Sequence, residues 1–225
     1  MIKIENVSVH GFEEAIRGMR NPMNSWDKSD SYYTHIEDVE APTVAINGQF
    51  HVGDNDLDLM KRLVKAGTDH RKFMRMIFVY VDVTAPLYWW KEADTYKVGT
   101  VRNSCSTMHK ITEKEFTLDD FSHEKMKDYI VDELERTILM LNGLRADYLS
   151  SDDKSYWYSI IQLLPSSYNQ RATLMLNYEV LANIYHSRKT HKLDEWRDFC
   201  KWIETLPYSE LITGGVENAS DNITE

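Results

Sequence analysis

Cys105 lies in Asn103-Ser104-Cys105-Ser106-Thr107, where hydroxyls and an amide can orient a ligand beside a thiol. A thiolate becomes a useful nucleophile once a nearby cation or helix N-terminus lowers its pKa. Lys97 and Arg102 are its cationic sequence neighbours. A small buried cysteine that only fills space would read the same way. Glu92 and Asp94 stand upstream, as a general base, as acceptors toward a ligand edge, or as a solvated helix face. Arg188 is a candidate phosphate contact, and an arginine late in a helix also suits the helix dipole. Lys61, Arg62, Lys65, Arg71, Lys72 and Arg75 cluster with only Asp69 against them. That pattern fits a compact anion site or a solvated helix face.

Other chemistry is not signalled. There is no Gly-x-Gly-x-x-Gly turn, phosphate loop, His-Glu-x-x-His or nucleophile elbow. The eight histidines are scattered, and His186 with His191 alone does not make a metal site. Two cysteines, Cys105 and Cys200, rule out a disulfide framework and fit a reducing cytosol. A formal charge of −10 makes the chain a poor partner for nucleic acid polymers. No apolar run approaches the roughly 20 residues of a membrane span, and no signal peptide is seen. The expectation is a cytoplasmic protein.

The elements that must position these residues follow from periodicity. Ile2, Ile4, Val7 and Val9 predict an opening strand with imperfect alternation, and Phe12 to Met19 a short helix. Asn21 to Asp38 reads as a polar loop, open to a ligand. Asp54 or Asn55 caps a helix through Leu57, Met60, Leu63 and Val64 that ends at Gly67. Met76 to Val83 predicts a strand, and Pro86 starts a helix through Trp89 and Trp90. Ser122 to Asn142 predicts a long helix closed by Gly143. Asp152 or Asp153 caps the next helix, which ends at Pro165. Ala172 to Leu176 predicts a strand, Asn177 to Arg188 a helix, and Leu193 to Leu206 another. Early strands, late helices and no βαβ rhythm give an α+β layout. With 225 residues we expect one domain over 1–212 and a polar tail over 213–225. The apolar surface of the late helices points to self-association.

Met76 to His109, with Ala85-Pro86 followed by an aromatic helix and a hydroxyl-rich segment, resembles the central segment of the flavin-dependent thymidylate synthases. That family carries an Arg-His-Arg signature after such a helix; here the positions hold Thr95-Tyr96-Lys97. Its downstream serine position holds Cys105, and the next Arg and Tyr positions hold Thr107 and Met108. The resemblance resumes at Leu164-Pro165, Asn177, Asn183 and Arg188. Further departures are Ile161 and Glu179 in place of arginines, and Arg75-Met76 in place of a Glu-His pair. His70 matches a position where the family often has His. The similarity spans about residues 55 to 206.

The resemblance implies a mixed sheet with long helices in a homotetramer. It implies FAD held by His70, Lys97, Asn177 and Asn183, and a folate as one-carbon donor. It implies a pyrimidine nucleotide near Arg102, Ser104, Ser106, Arg171 and Arg188. Cys105, Lys97 and Glu92 are then the catalytic candidates, with Cys105 placed to attack a pyrimidine ring carbon. Lys is a mobile point charge where Arg is a planar fork. Losing signature cations removes charge-assisted hydrogen bonds of about 1.5–3 kcal/mol each. Either Arg102, Arg171 or the Lys61 to Arg75 cluster compensates, or the scaffold is a non-catalytic protein that senses or sequesters a nucleotide.

Overall fold

The computed structural model describes residues 2–34 and 48–214. Along the chain run β1 (Lys3–His10), α1 (Phe12–Arg20), β2 (Tyr32–Tyr33), β3 (Phe50–His51) and α2 (Asp54–Lys65). Then come β4 (Phe78–Pro86), α3 (Leu87–Ala93), β5 (Val101–Ser104) and α4 (Thr107–Lys110). The second half holds α5 (Asp128–Ser151), α6 (Lys154–Leu163), β6 (Asn169–Asn177), α7 (Tyr178–Arg188), α8 (Asp194–Ile203) and α9 (Glu210–Thr213). This is an α+β fold. Among the described residues, no helix is long and apolar enough to cross a membrane.

The main sheet is antiparallel, in the order β1-β4-β6-β5. β4 and β6 pair along their full length, from Phe78 opposite Asn177 to Pro86 opposite Asn169. Alternation sends Val79, Val81, Val83 and Ala85 of β4, and Ala172, Leu174 and Leu176 of β6, into the core. Trp89 and Trp90 of α3 and Trp196 and Phe199 of α8 join the same core cluster. The other sheet face carries Tyr80, Asp82, Arg171 and Thr173. A second cluster, built on Phe116, Phe121, Leu134, Ile138, Leu141 and Ile160, holds α5 and α6.

The imperfect alternation of the opening strand has a cause. A register shift falls between Glu5 and Ser8, with Asn6 at φ 52°. Several sequence expectations need correction. The long helix starts at Asp128, not Ser122, whose backbone N–H instead donates to Ser167 O at 2.8 Å. Gly143 does not close that helix. It sits inside α5 in open space, and the packing of Leu141 and Leu144 on either side offsets the modest cost of a helical glycine. The stop comes at Asp152, left-handed at φ 55°. Asp153 caps α6 by accepting from Ser155 N at 2.9 Å. Asn177 caps α7 rather than opening it. Strands are not confined to the early chain, since β6 is late and central. β5 forms in a stretch that the sequence marks only as hydroxyl-rich. The part of the 21–38 loop that is described holds two 3-10 turns and β2; the rest of it, and the tail beyond 214, lie outside the described residues.

Candidate functional site

Pro86 ends β4 and caps α3 with φ −67°, which swings Trp89 and Trp90 under the sheet. After α3 the chain turns through Asp94 to Thr100 and returns as β5 beside β6. Gly99 makes that return possible. It lies at φ +74°, and a Cβ there would be 2.4 Å from Asn177 Nδ2. Asn177 in turn holds the start of α7, its Oδ1 accepting from Val180 N at 2.9 Å.

These elements enclose a cleft of about 330 Å³, walled by Trp89, Trp90, Tyr96, Trp196, Leu174 and Phe199. Asp94, Lys97, Thr100 and Arg102 supply its polar lining. Volume and lining suit a small, flat, largely apolar guest oriented by a few polar atoms. Three buried polar atoms on its lining residues have no hydrogen-bond partner among the described residues: Trp89 Nε1, Thr100 Oγ1 and Arg102 Nε. Orphaned buried donors are costly unless something accepts from them.

The cations around the cleft are mostly committed. Arg102 donates from Nη1 to both Asp94 carboxylate oxygens at 2.8 Å and from Nη2 to Gln170 Oε1 at 2.5 Å. Its guanidinium lies 3.9 Å from the Trp90 ring centroid. Behind the Tyr96–Trp196 wall, Arg188 donates to Tyr96 Oη at 2.9 Å and to Glu92 Oε2 at 2.8 Å. The same Glu92 oxygen accepts from Trp196 Nε1 at 3.0 Å, with His191 Nε2 3.6 Å away. Lys97 is exposed at the edge and has no ion pair among the described residues.

The remaining sequence candidates lie around this centre. Cys105 is exposed just past β5; its N–H donates to Arg171 O at 2.9 Å and its carbonyl accepts from Gln170 Nε2 at 2.8 Å. Gln170 thus links Cys105 to Arg102 by two hydrogen bonds. Ser104 ends β5, exposed, and Ser106 caps α4 by accepting from His109 N at 3.3 Å. Arg171 faces the other side of the sheet and pairs with Asp82 at 2.7 Å. Hydrogen bonds from Thr173, Asn6 and Arg171 hold the Asp82 carboxyl well below the ordinary carboxylate range. His70 and Asn183 are exposed and do not line the cleft. So Lys97 and Arg102 meet in the cleft with Glu92 and Arg188 directly behind it, while His70, Asn183 and Arg171 stand apart.

Of the basic cluster, Arg71 and Arg75 both turn to Glu179, which is buried at the start of α7. Positions 75 and 179 are two where the resemblance leads one to expect Glu and Arg. They hold Arg and Glu, and the two pair with each other here. Sequence reasoning missed Thr100, Gln170 and the Trp89 indole as site groups. Nothing local marks them, because an unpartnered atom is visible only once its surroundings are known.

The sequence matches no protein-family model and no curated protein. Solved structures do match. Thymidylate synthase X (ThyX) from Helicobacter pylori with FAD and dUMP superposes with TM-score 0.70 at 16% identity, covering 95% of this chain and 98% of that one. A second H. pylori ThyX structure with FAD and dUMP gives 0.67 at 16% identity over 94% and 97%. The UMP/dUMP methylase PolB from Streptomyces cacaoi, bound with 5-Br dUMP, gives 0.60 at 15% identity over 96% of each chain. The chain has the flavin-dependent thymidylate synthase fold.

Proposed function

We propose that this chain binds a pyrimidine nucleotide in the cleft beside α3 and serves one-carbon transfer to the base. The observation that carries the reading is the cleft itself. Aromatic walls, three unpartnered buried donors and Lys97 meet on a scaffold shared with FAD- and dUMP-bound ThyX and with a UMP/dUMP methylase. In this reading the aromatic walls hold the ring, Asp94 and Arg102 face its polar edge, and Lys97 supplies the cation at the rim. Glu92 acts through Arg188 and Trp196 as a positioning residue. Cys105 is the thiol candidate, tested by turnover of Cys105→Ser. Of the residues the resemblance assigns to flavin, Lys97 lines the cleft and Asn177 adjoins its 94–100 turn, and these two would hold a flavin, which when bound supplies the reducing equivalents such a transfer needs. The protein would work in the cytoplasm as a homo-oligomer, with a tetramer favoured.

One observation favours a second reading, a non-catalytic nucleotide-binding protein. Arg102, Arg171 and Arg188 each already pair with a carboxylate. The two are separated by adding FAD and then dialysing. A retained flavin absorbance band, with a rise in melting temperature on adding dUMP, supports the enzyme. A colourless protein stabilised by dUMP supports the second reading. No flavin uptake and no stabilisation by any pyrimidine ligand contradicts both.

A further inference from the structure

We infer that a second cleft, between α1 and the β2–β3 hairpin, binds a flat aromatic ring that carries a carboxylate. It shares no lining residue with the cleft beside α3 and does not depend on the nucleotide reading. It encloses about 510 Å³ and is walled by Trp26, Tyr32, Tyr33 and Phe50, with Ile16 of α1. Trp26 and Tyr32 are 50% and 58% exposed. Aromatic surface left that open within a concavity is surface that a stacked ring would cover. Buried groups fix these walls. Arg20 and Asp56 are both buried and pair at 2.6 Å. Arg20 also donates to Ser25 O at 3.1 Å and to Lys28 O at 3.0 Å, and Asp56 accepts from Ser29 Oγ at 2.6 Å and Ser31 Oγ at 2.7 Å. The turn that carries Trp26 is thereby pinned to α1 and α2, and the Trp26 indole donates to Asn21 Oδ1 at 2.9 Å. Tyr32 stacks on His51, with ring centroids 5.4 Å apart. A site already held in shape loses less freedom when it is filled.

Arg17 sets the charge of the substituent. It lines this cleft and is exposed. Every other arginine has a hydrogen bond or an ion pair, and Arg17 has none among the described residues. A guanidinium matches a carboxylate through two parallel N–H···O bonds. The acid of the lining is Glu13, one helical turn before Arg17, and Tyr33 Oη donates to it at 2.5 Å. The other cation of the lining, Arg20, is committed to Asp56. A monoanion therefore pairs with Arg17 and brings one negative charge toward Glu13. A phosphate dianion brings two and finds no second free cation, so the site favours a carboxylate.

The test is calorimetric titration of the full chain with 2-naphthoate, 2-naphthamide and 2-naphthyl phosphate, which share one ring system and differ in charge. It is run at about pH 8, where a phosphate monoester is a dianion. 2-Naphthoate should bind about tenfold more tightly than 2-naphthamide, and 2-naphthyl phosphate more weakly than 2-naphthoate. Arg17→Gln should erase the tenfold advantage of the carboxylate and leave the amide unchanged. Trp26→Leu, also at an exposed position, should weaken all three probes. 2-Naphthoate that binds no more tightly than 2-naphthamide overturns the inference, as does an advantage that survives Arg17→Gln. Tighter binding of 2-naphthyl phosphate than of 2-naphthoate, or no binding of any probe, overturns it too. These outcomes are separate from flavin uptake and stabilisation by dUMP, which test the other cleft.

Discussion

Glu179, buried at the start of α7, takes Arg75 and Arg71 from the 3-10 segment ahead of β4 as its two cationic partners. Arg71 is itself buried, at 7% exposure, so its charge has no solvent to fall back on. Glu179→Gln should therefore cost about 3 kcal/mol, the lower end of what an unpaired buried charge costs. Urea denaturation checks it. A change under half that size would mean Arg71 finds another acceptor.

Stability should fall in acid with a recognisable signature. Burial alone would raise the Asp56 carboxyl, but hydrogen bonds from Ser29, Ser31 and Arg20 more than offset it and hold its pKa below the ordinary value. A carboxyl depressed in the folded state stabilises fully above its unfolded pKa, about 4. That contribution is lost as pH drops below this and through the folded value. Asp56→Asn should be less stable than wild type at pH 6, and the gap should narrow by pH 3. Parallel stability curves for the two proteins over that range would show that Asp56 is not the titrating group.

Two glycines should respond in opposite directions to alanine. Gly99→Ala places a side chain at φ +74° and against Asn177, so a loss of at least about 1–2 kcal/mol is expected. Gly143→Ala fills open space inside α5 and should gain about 0.5–1 kcal/mol. Melting curves of both variants settle the matter, and a neutral Gly99→Ala would mean the 94–100 turn is free to relax.

The cysteines should differ sharply toward an alkylating reagent. Burial, with Glu204 nearby, pushes the Cys200 thiol up to about 12, whereas Cys105 is exposed. Peptide mapping after brief treatment of the native protein at neutral pH should find the adduct on Cys105. Modification of Cys200 at a similar rate would mean that α8 opens readily.

Much of the scaffold was legible because its signals are local. The periodicity of Leu57, Met60 and Val64 gave α2, the Met76 to Val83 run gave β4, and Leu181 and Ile184 gave α7. β5 was not legible. Arg102-Asn103-Ser104 has little intrinsic strand preference and is held by pairing with Ala172 to Leu174, far along the chain. The helix stop at Gly143 failed because tertiary packing of Leu141 and Leu144 carries α5 past a residue of low propensity. At the site, Lys97, Arg102, Glu92 and Arg188 were visible as charged types. Their pairing was not: Glu92 meets Arg188 only when distant segments fold together, and Asp94 meets Arg102 only across the turn that Gly99 allows.

The most direct test of ligand binding in this cleft is a crystal grown with 5-bromodeoxyuridine, with the bromine located by its anomalous signal. The expected result is a bromine peak in the cleft lined by Trp90, Tyr96 and Trp196, with the ring edge toward Asp94 and Arg102. A bromine bound elsewhere on the chain, with the cleft closed over its own side chains, would contradict the assignment.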